Sequence, residues 1–344
     1  MHMFTKARVM TVISAALGAA IWLALGWPLP LLLGPMVGCL VVALAGLKLQ
    51  DMGVLGTFMR TFLGVAIGSS VTPHMVQQLP RYGPSLLLIP VFVAVIGVVS
   101  YPFLRRVFGF DHPTAFYSAM PGGLQDMLIF GQEAGGNVRT MSLIHATRVL
   151  VIVTVAPFVL TMTYGLDLTA PPGAAATSLP LDQLALMLLA AVAGWQIATR
   201  VGLFGASILG PMIFTAVLSL SGILHTRPPA EVIWAAQFFI GIAVGANYSG
   251  ITGAELRRDV GAGLIFSVLL AIISLGFIAL VLHLSSASEL EIILAFLPGG
   301  QAEMAIIALV AGADVALVVA HHLLRILVVV LLGPVFARWL GQDR

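Results

Sequence analysis

A block of polar and helix-breaking residues stands at positions 120–148 and returns, 177 positions later, at 297–325. The first copy runs Met120-Pro121-Gly122-Gly123, Asp126-Met127, Gly135, Asn137-Val138, His145 and Arg148. The second runs Leu297-Pro298-Gly299-Gly300, Glu303-Met304, Gly312, Asp314-Val315, His322 and Arg325. Order and spacing are kept without a gap, so the chain reads as a tandem duplication. Outside the block, Gly64, Ala66 and Gly68 match Gly241, Ala243 and Gly245, and Leu33-Gly34-Pro35-Met36 matches Leu209-Gly210-Pro211-Met212 one residue out of step. The halves span 1–166 and 181–344. Between them a Pro/Ala/Thr-rich stretch, 167–180, reads as an exposed linker.

The surroundings of this block decide the fold class. Of 344 residues 60% are hydrophobic and only 9% charged, against about 25% charged in a soluble domain. The chain is therefore expected to be an all-α polytopic membrane protein of the inner (plasma) membrane, with the lipid bilayer as its main partner. A scattered net charge of +2 gives no nucleic-acid surface. The single cysteine, Cys39, excludes an intramolecular disulfide. Lys6 and Arg8 ahead of an Ala/Leu-rich run imitate a signal peptide, but residues 183–200 match that run, so it belongs to the fold.

Long apolar segments predict helices at 9–26, 29–47, 53–72, 83–105 and 139–165 in the first half. In the second they fall at 182–199, 204–222, 232–250, 259–283 and 315–340. Each is near the ~20 residues that cross a bilayer. The Pro-Gly-Gly segments, 113–132 and 290–310, interrupt this pattern, because proline lacks a donor and glycine favours non-helical backbone. Each is either a broken span or a re-entrant hairpin. With re-entrant segments each half has five crossings and the halves are inverted. Lys6, Arg8, Lys48, Arg105, Arg106, Arg139, Arg200, Arg257, Arg258, Arg338 and Arg344 then share the cytoplasmic side, leaving Arg81 and Arg227 outside. A spanning segment would place Arg257-Arg258 outside, so the excess of positive charge inside favours inversion.

Unwound backbone at membrane depth is tolerated only within protein or along a wet cavity, and broken segments in both halves of a duplicated membrane protein point to a transport site. The expected site comprises Pro121, Gly122, Gly123, Gln125 and Asp126 with Pro298, Gly299, Gly300, Gln301 and Glu303. Asn137, His145, Arg148, Asp314, His322 and Arg325 join from the following helices. Asp126 and Glu303 are either ion-coupling groups, for a proton or sodium, or structural partners of Arg148 and Arg325. The guanidinium forks equally suit an anionic solute. Adjacent His321 and His322 point about 100° apart and cannot chelate one ion. No metal site, cofactor or enzyme activity is expected. Gly64/Gly68 and Gly241/Gly245 are small-residue pairs that pack helices closely, within the chain or in a homodimer.

On its two Pro-Gly-Gly copies and trailing His-x-x-Arg, the chain resembles the AbrB-duplication membrane proteins, often labelled as ammonia monooxygenases or AbrB-type regulators. The resemblance covers essentially the whole chain. It implies a distant relation to cation/proton antiporters and anion transporters, hence an inverted-repeat secondary transporter. Eight scattered histidines do not build the clustered ligands that copper oxygenase chemistry needs. The leading expectation is secondary transport of a small anionic or zwitterionic solute coupled to a proton or sodium. The alternative is a membrane-embedded sensor or regulator that affects gene expression indirectly, without transport.

Overall fold

Glycine and proline punctuate the apolar runs, and helices form between them. The computed structural model describes residues 5–170, 173–203 and 205–341, where every regular element is a helix. Arg344 and the Arg81 side chain, both part of the charge pattern above, lie outside the described residues. The helices are α1 (Lys6–Ala24), α2 (Pro30–Leu44), α3 (Val54–Ser69), α4 (Pro73–Leu87), α5 (Ile89–Val107), α6 (His112–Ala119), α7 (Leu124–Glu133) and α8 (Val138–Tyr164). They continue as α9 (Leu181–Arg200), α10 (Ala206–Leu220), α11 (Ala230–Ala246), α12 (Gly253–Leu282), α13 (Glu289–Phe296), α14 (Gln301–Val310) and α15 (Val315–Gly341). Gly26, Gly46, Gly202 and Gly222, all at positive φ, close α1, α2, α9 and α10, the conformation a helix end favours and a side chain resists.

Six helical stretches are long and apolar enough to cross a membrane: Lys6–Ala24, Tyr82–Val107, Val138–Tyr164, Leu181–Arg200, Gly253–Leu282 and Val315–Leu340. Their outer faces expose Leu17, Val98, Ile272, Leu275 and Leu331, while Thr11, Ser14, His145, Arg148, His321 and Arg325 are buried. Apolar outside and polar inside reverses the soluble arrangement. The chain is an all-α, multi-pass membrane protein. Four of the expected ~20-residue spans are shorter: α2 and α10 have 15 residues, α3 has 16 and α11 has 17. A helix also begins at Pro73, ahead of the expected start at 83, with Pro80 and Pro84 inside it. Those prolines read as breakers in the sequence.

The chain divides into two compact units, each drawn from both halves of the sequence. Unit 1 comprises residues 1–78, 154–251 and 305–316; unit 2 comprises 79–153, 252–304 and 317–344.

In unit 1, α3 packs on α10, α11 on α2, α1 on α2 and α9 on α10. Backbone meets backbone at these crossings. A Cβ built on Gly64 would strike the Ile208 carbonyl and one on Gly68 the Met212 carbonyl; α11 presents Gly241 to the Leu32 carbonyl and Gly245 to that of Met36. These faces are used within the chain, the first of the two alternatives open for the glycine pairs. The described residues of the 167–180 stretch are mostly exposed but tied down, with Leu29 N–H donating to the Leu168 carbonyl (2.9 Å) and Ala230 N–H to that of Ala174 (2.9 Å).

In unit 2, α5 packs on α6 and α12, α6 on α7, and α12 on α13. The Arg105 guanidinium donates to the Phe110 carbonyl (2.7 Å), and the Arg258 guanidinium lies 4.7 Å from the centre of the Phe110 ring. The end of α5 and the start of α12 therefore share one end of the unit. The start of α8 joins them there, through the Arg139–Glu255 ion pair (3.1 Å) and the Thr140 hydroxyl donating to Asp259 (3.1 Å).

Candidate functional site

Residues 112–133 form a helical hairpin. Asp111 caps α6, its carboxylate accepting from Thr114 N–H (2.9 Å). The helix ends at Met120, whose extended backbone leads into Pro121. Beyond the break, α7 returns to where α6 began: Asn137 N–H donates to the Thr114 hydroxyl (2.7 Å), and Gly136 N–H to the Gly131 carbonyl (2.7 Å). The expected segment, 113–132, thus turns back on itself rather than running on. The second break has the same local form, with α13 ending at the extended Leu297 and α14 starting after Gly300.

Each glycine of the motif makes room for a later motif residue. A Cβ at Gly123 would collide with the Asp126 carboxylate, and one at Gly300 with that of Glu303. The carboxylates fold back over the glycine that precedes α7 or α14, where the positive end of the helix dipole favours an anion. The first glycine accommodates methionine: Gly122 lies against Met127, Gly299 against Met304. A Cβ at Gly122 would also lie 3.0 Å from Val329 on α15, and one at Gly299 3.6 Å from Ile152 on α8. Each break is packed by the long helix of the other half.

The histidines fasten the long helices to the breaks. His145 Nε2–H donates to the Tyr117 carbonyl (3.0 Å), and His322 Nε2–H to the Leu294 carbonyl (3.0 Å). Both rings are buried and both Nδ1 atoms have no hydrogen-bond partner. His321 is held separately, by the Leu317 carbonyl (2.8 Å) and the Ser85 hydroxyl (2.9 Å). Among the described residues no three His, Cys, Asp or Glu gather as metal ligands.

The arginines, alike in sequence, differ in position. Arg325 donates to the Gly299 carbonyl (3.0 Å) and, more distantly, to that of Leu297 (3.4 Å). Leu297 is the residue that closes α13 and Gly299 lies in the break beyond it, so Arg325 holds the carbonyls of the break itself. Arg148 is equally buried, 2% exposed, yet its Nε and Nη1 have no hydrogen-bond partner. It lies within the electrostatic field of Glu303, and Arg325 lies within that of Arg148. Two guanidinium groups and one carboxylate are thus buried together, leaving an excess of positive charge.

The structure gathers Pro121, Gly122, Pro298, Gly299, Gly300, Glu303, Arg148 and Arg325 in unit 2, with His145 and His322 as their fasteners. Asp126 is half-buried and Gln301 partly so, with the Gln301 side-chain nitrogen unpartnered. Gln125 faces outward and leaves the site. Asn137 is also exposed and caps α8, its carbonyl oxygen accepting from Thr140 N–H (3.1 Å). Asp314, its counterpart, belongs to unit 1. The Tyr117 and Leu294 carbonyls, which anchor the histidines, were missed because a backbone acceptor has no signature in sequence.

Residues 5–341 match the family model described as transition state regulatory protein AbrB. A Bacillus subtilis (strain 168) protein named "Uncharacterized protein YhjN" is 28% identical over 298 residues, covering 82% of this chain and 77% of its own. The "Putative regulator AbrB" of Escherichia coli (strain K12) is 26% identical over 328 residues, covering 93% of this chain and 92% of its own. No solved structure matches the chain.

Proposed function

Because the chain belongs to the AbrB family, we propose that it is a membrane-embedded sensor that takes up a small anion at its two helix breaks and thereby affects gene expression indirectly. The observation that carries the ligand is Arg148, a buried guanidinium with open donors, since a buried charge is kept only where something pairs it. The regulator label of the Escherichia coli relative supports the outcome. A second reading, secondary transport of a small anionic or zwitterionic solute coupled to a proton or sodium, is favoured by the reciprocal packing of the breaks against α8 and α15. The two readings share one site and differ in whether solute crosses.

Glu303→Gln separates them. Flux in proteoliposomes under an imposed ion gradient, abolished by Glu303→Gln in a protein that remains folded, establishes transport. An absence of flux, with a transcript response to solute in cells that the same variant removes, establishes the sensor. A variant that behaves as wild type in both assays removes Glu303 from the site. A metabolite screen by thermal shift supplies the solute.

The same reading includes two inverted repeats in the inner membrane. It is supported by the turned-back first segment and by the shared end of α5 and α12, where Arg105 and Arg258 both meet Phe110. Cysteines introduced at Arg106 or Arg257 in a Cys39→Ser background should both resist an impermeant reagent added outside intact cells. Labelling of only one would establish a parallel arrangement.

A further inference from the structure

A cavity of about 430 Å³ opens in unit 2 at the end of the hairpin remote from its Pro-Gly-Gly tip, among α6, α7 and the last turns of α15. Its volume falls within the usual range of small-molecule sites, roughly 300–1,000 Å³. Tyr117, Phe130 and Pro334 supply apolar surface, and Glu133 and Arg338 bring opposite charges to the lining. Both charges act electrostatically on Tyr117, yet no ion pair between them is found among the described residues. The wall is set in place by His112, whose Nε2–H donates to the Ala337 carbonyl (2.9 Å) while its Nδ1 accepts from the Tyr101 hydroxyl (2.7 Å).

The other half of the chain shows that packing does not demand this chemistry. At the positions related by the 177-residue offset, Tyr117 is replaced by Leu294, Phe130 by Ile307, Glu133 by Val310 and Arg338 by Thr161, while Pro334 keeps its proline as Pro157. The scaffold positions are retained and the charged pair occurs once. We propose that this cavity binds a small zwitterion, with its ammonium toward Glu133, its oxyanion toward Arg338 and its apolar body against Tyr117 and Phe130. The site is separate from the paired breaks and stands without the function proposed for them. It shares one residue with them, because Tyr117 lends its carbonyl to His145.

Two sources offer this chemistry: a free amino acid or a phosphatidylethanolamine headgroup. Calorimetric titration of the full-length protein in mild detergent with L-leucine and L-phenylalanine tests the first. Phenylalanine amide lacks the oxyanion and N-acetylphenylalanine lacks the ammonium, so each should bind about tenfold more weakly, the loss of one good polar contact. Arg338→Gln should erase the discrimination against the amide, and Glu133→Gln that against the acetylated form. Both side chains are exposed, so neither change threatens the fold. The lipid source predicts instead that phosphatidylethanolamine stays bound in native mass spectrometry, and that Arg338→Gln releases it. The proposal is overturned if neither zwitterion binds and no such lipid is retained, or if binding is indifferent to both the missing groups and the variants.

Discussion

Methionine in place of Arg325 is expected to unfold the protein in mild detergent, whereas methionine in place of Arg148 should leave it folded and without the anion binding proposed for the breaks. Arg325 donates to the carbonyls of Leu297 and Gly299 on either side of Pro298. Removing it leaves two acceptors without a partner, at about 1–3 kcal/mol each. That loss is a large part of the roughly 5–15 kcal/mol that holds a typical protein together. Arg148 makes no hydrogen bond through Nε or Nη1, so methionine there strands no acceptor of those two atoms and removes the cost of keeping a charge out of water. Glu303 then loses the charge beside it, a smaller cost because a carboxylate can take up a proton. Thermal unfolding separates the variants, and a thermal-shift screen with small carboxylates and phosphate reports the anion. Equal destabilisation by both would mean that Arg148, too, is structural.

An equally large loss is expected in unit 1 from leucine at Gly64. The first atom that a side chain adds there would run into the Ile208 carbonyl, and Gly241→Leu would meet that of Leu32 in the same way. Overpacking an ordinary core costs about 1–3 kcal/mol because side chains can move aside. Here the obstacle is backbone within another helix, so the helices must part. Both variants should be lost from the membrane fraction or recovered only as aggregate. Gly276→Ala is the control, since nothing lies within 4 Å of its Cβ position and alanine favours a helix over glycine by about 1 kcal/mol. It should melt at or above the wild-type temperature. A soluble, wild-type-like Gly64→Leu protein would overturn the close approach of α3 and α10.

The breaks were legible because proline and glycine act on the backbone itself: the expected 113–132 and 290–310 became the hairpin 112–133 and the pair of helices 289–310. The helix positions were legible for a similar reason, since lipid demands unbroken apolar runs. What stayed hidden depended on side-chain reach. Asp126 and Glu303 occupy matching positions, yet Glu303, one methylene longer, is buried and reaches the field of Arg148, whereas Asp126 is only half-buried. No pattern of residue types distinguishes an arginine spent on carbonyls from one left open. Asn137 carried a legible signal that was read for the site instead: an asparagine directly before a long helix is a capping residue. Gln125 is as polar as its neighbours in the motif, but as the second residue of α7 it faces outward.

The short helices of unit 1 bear on the membrane itself. A helix of 15 residues, the length of α2 and of α10, rises only about 22 Å, whereas the hydrocarbon layer of a typical bilayer is about 30 Å thick. Val41 on α2 and Val217 on α10 are well exposed, at 59% and 62%, so apolar surface of these helices is left uncovered by the rest of the chain. The lipid beside them is compressed unless neighbouring segments fill the difference, at a fraction of a kcal/mol for each ångström of mismatch. Where no neighbouring segment fills that difference, bilayer thickness becomes a variable that acts on the protein, independent of any solute.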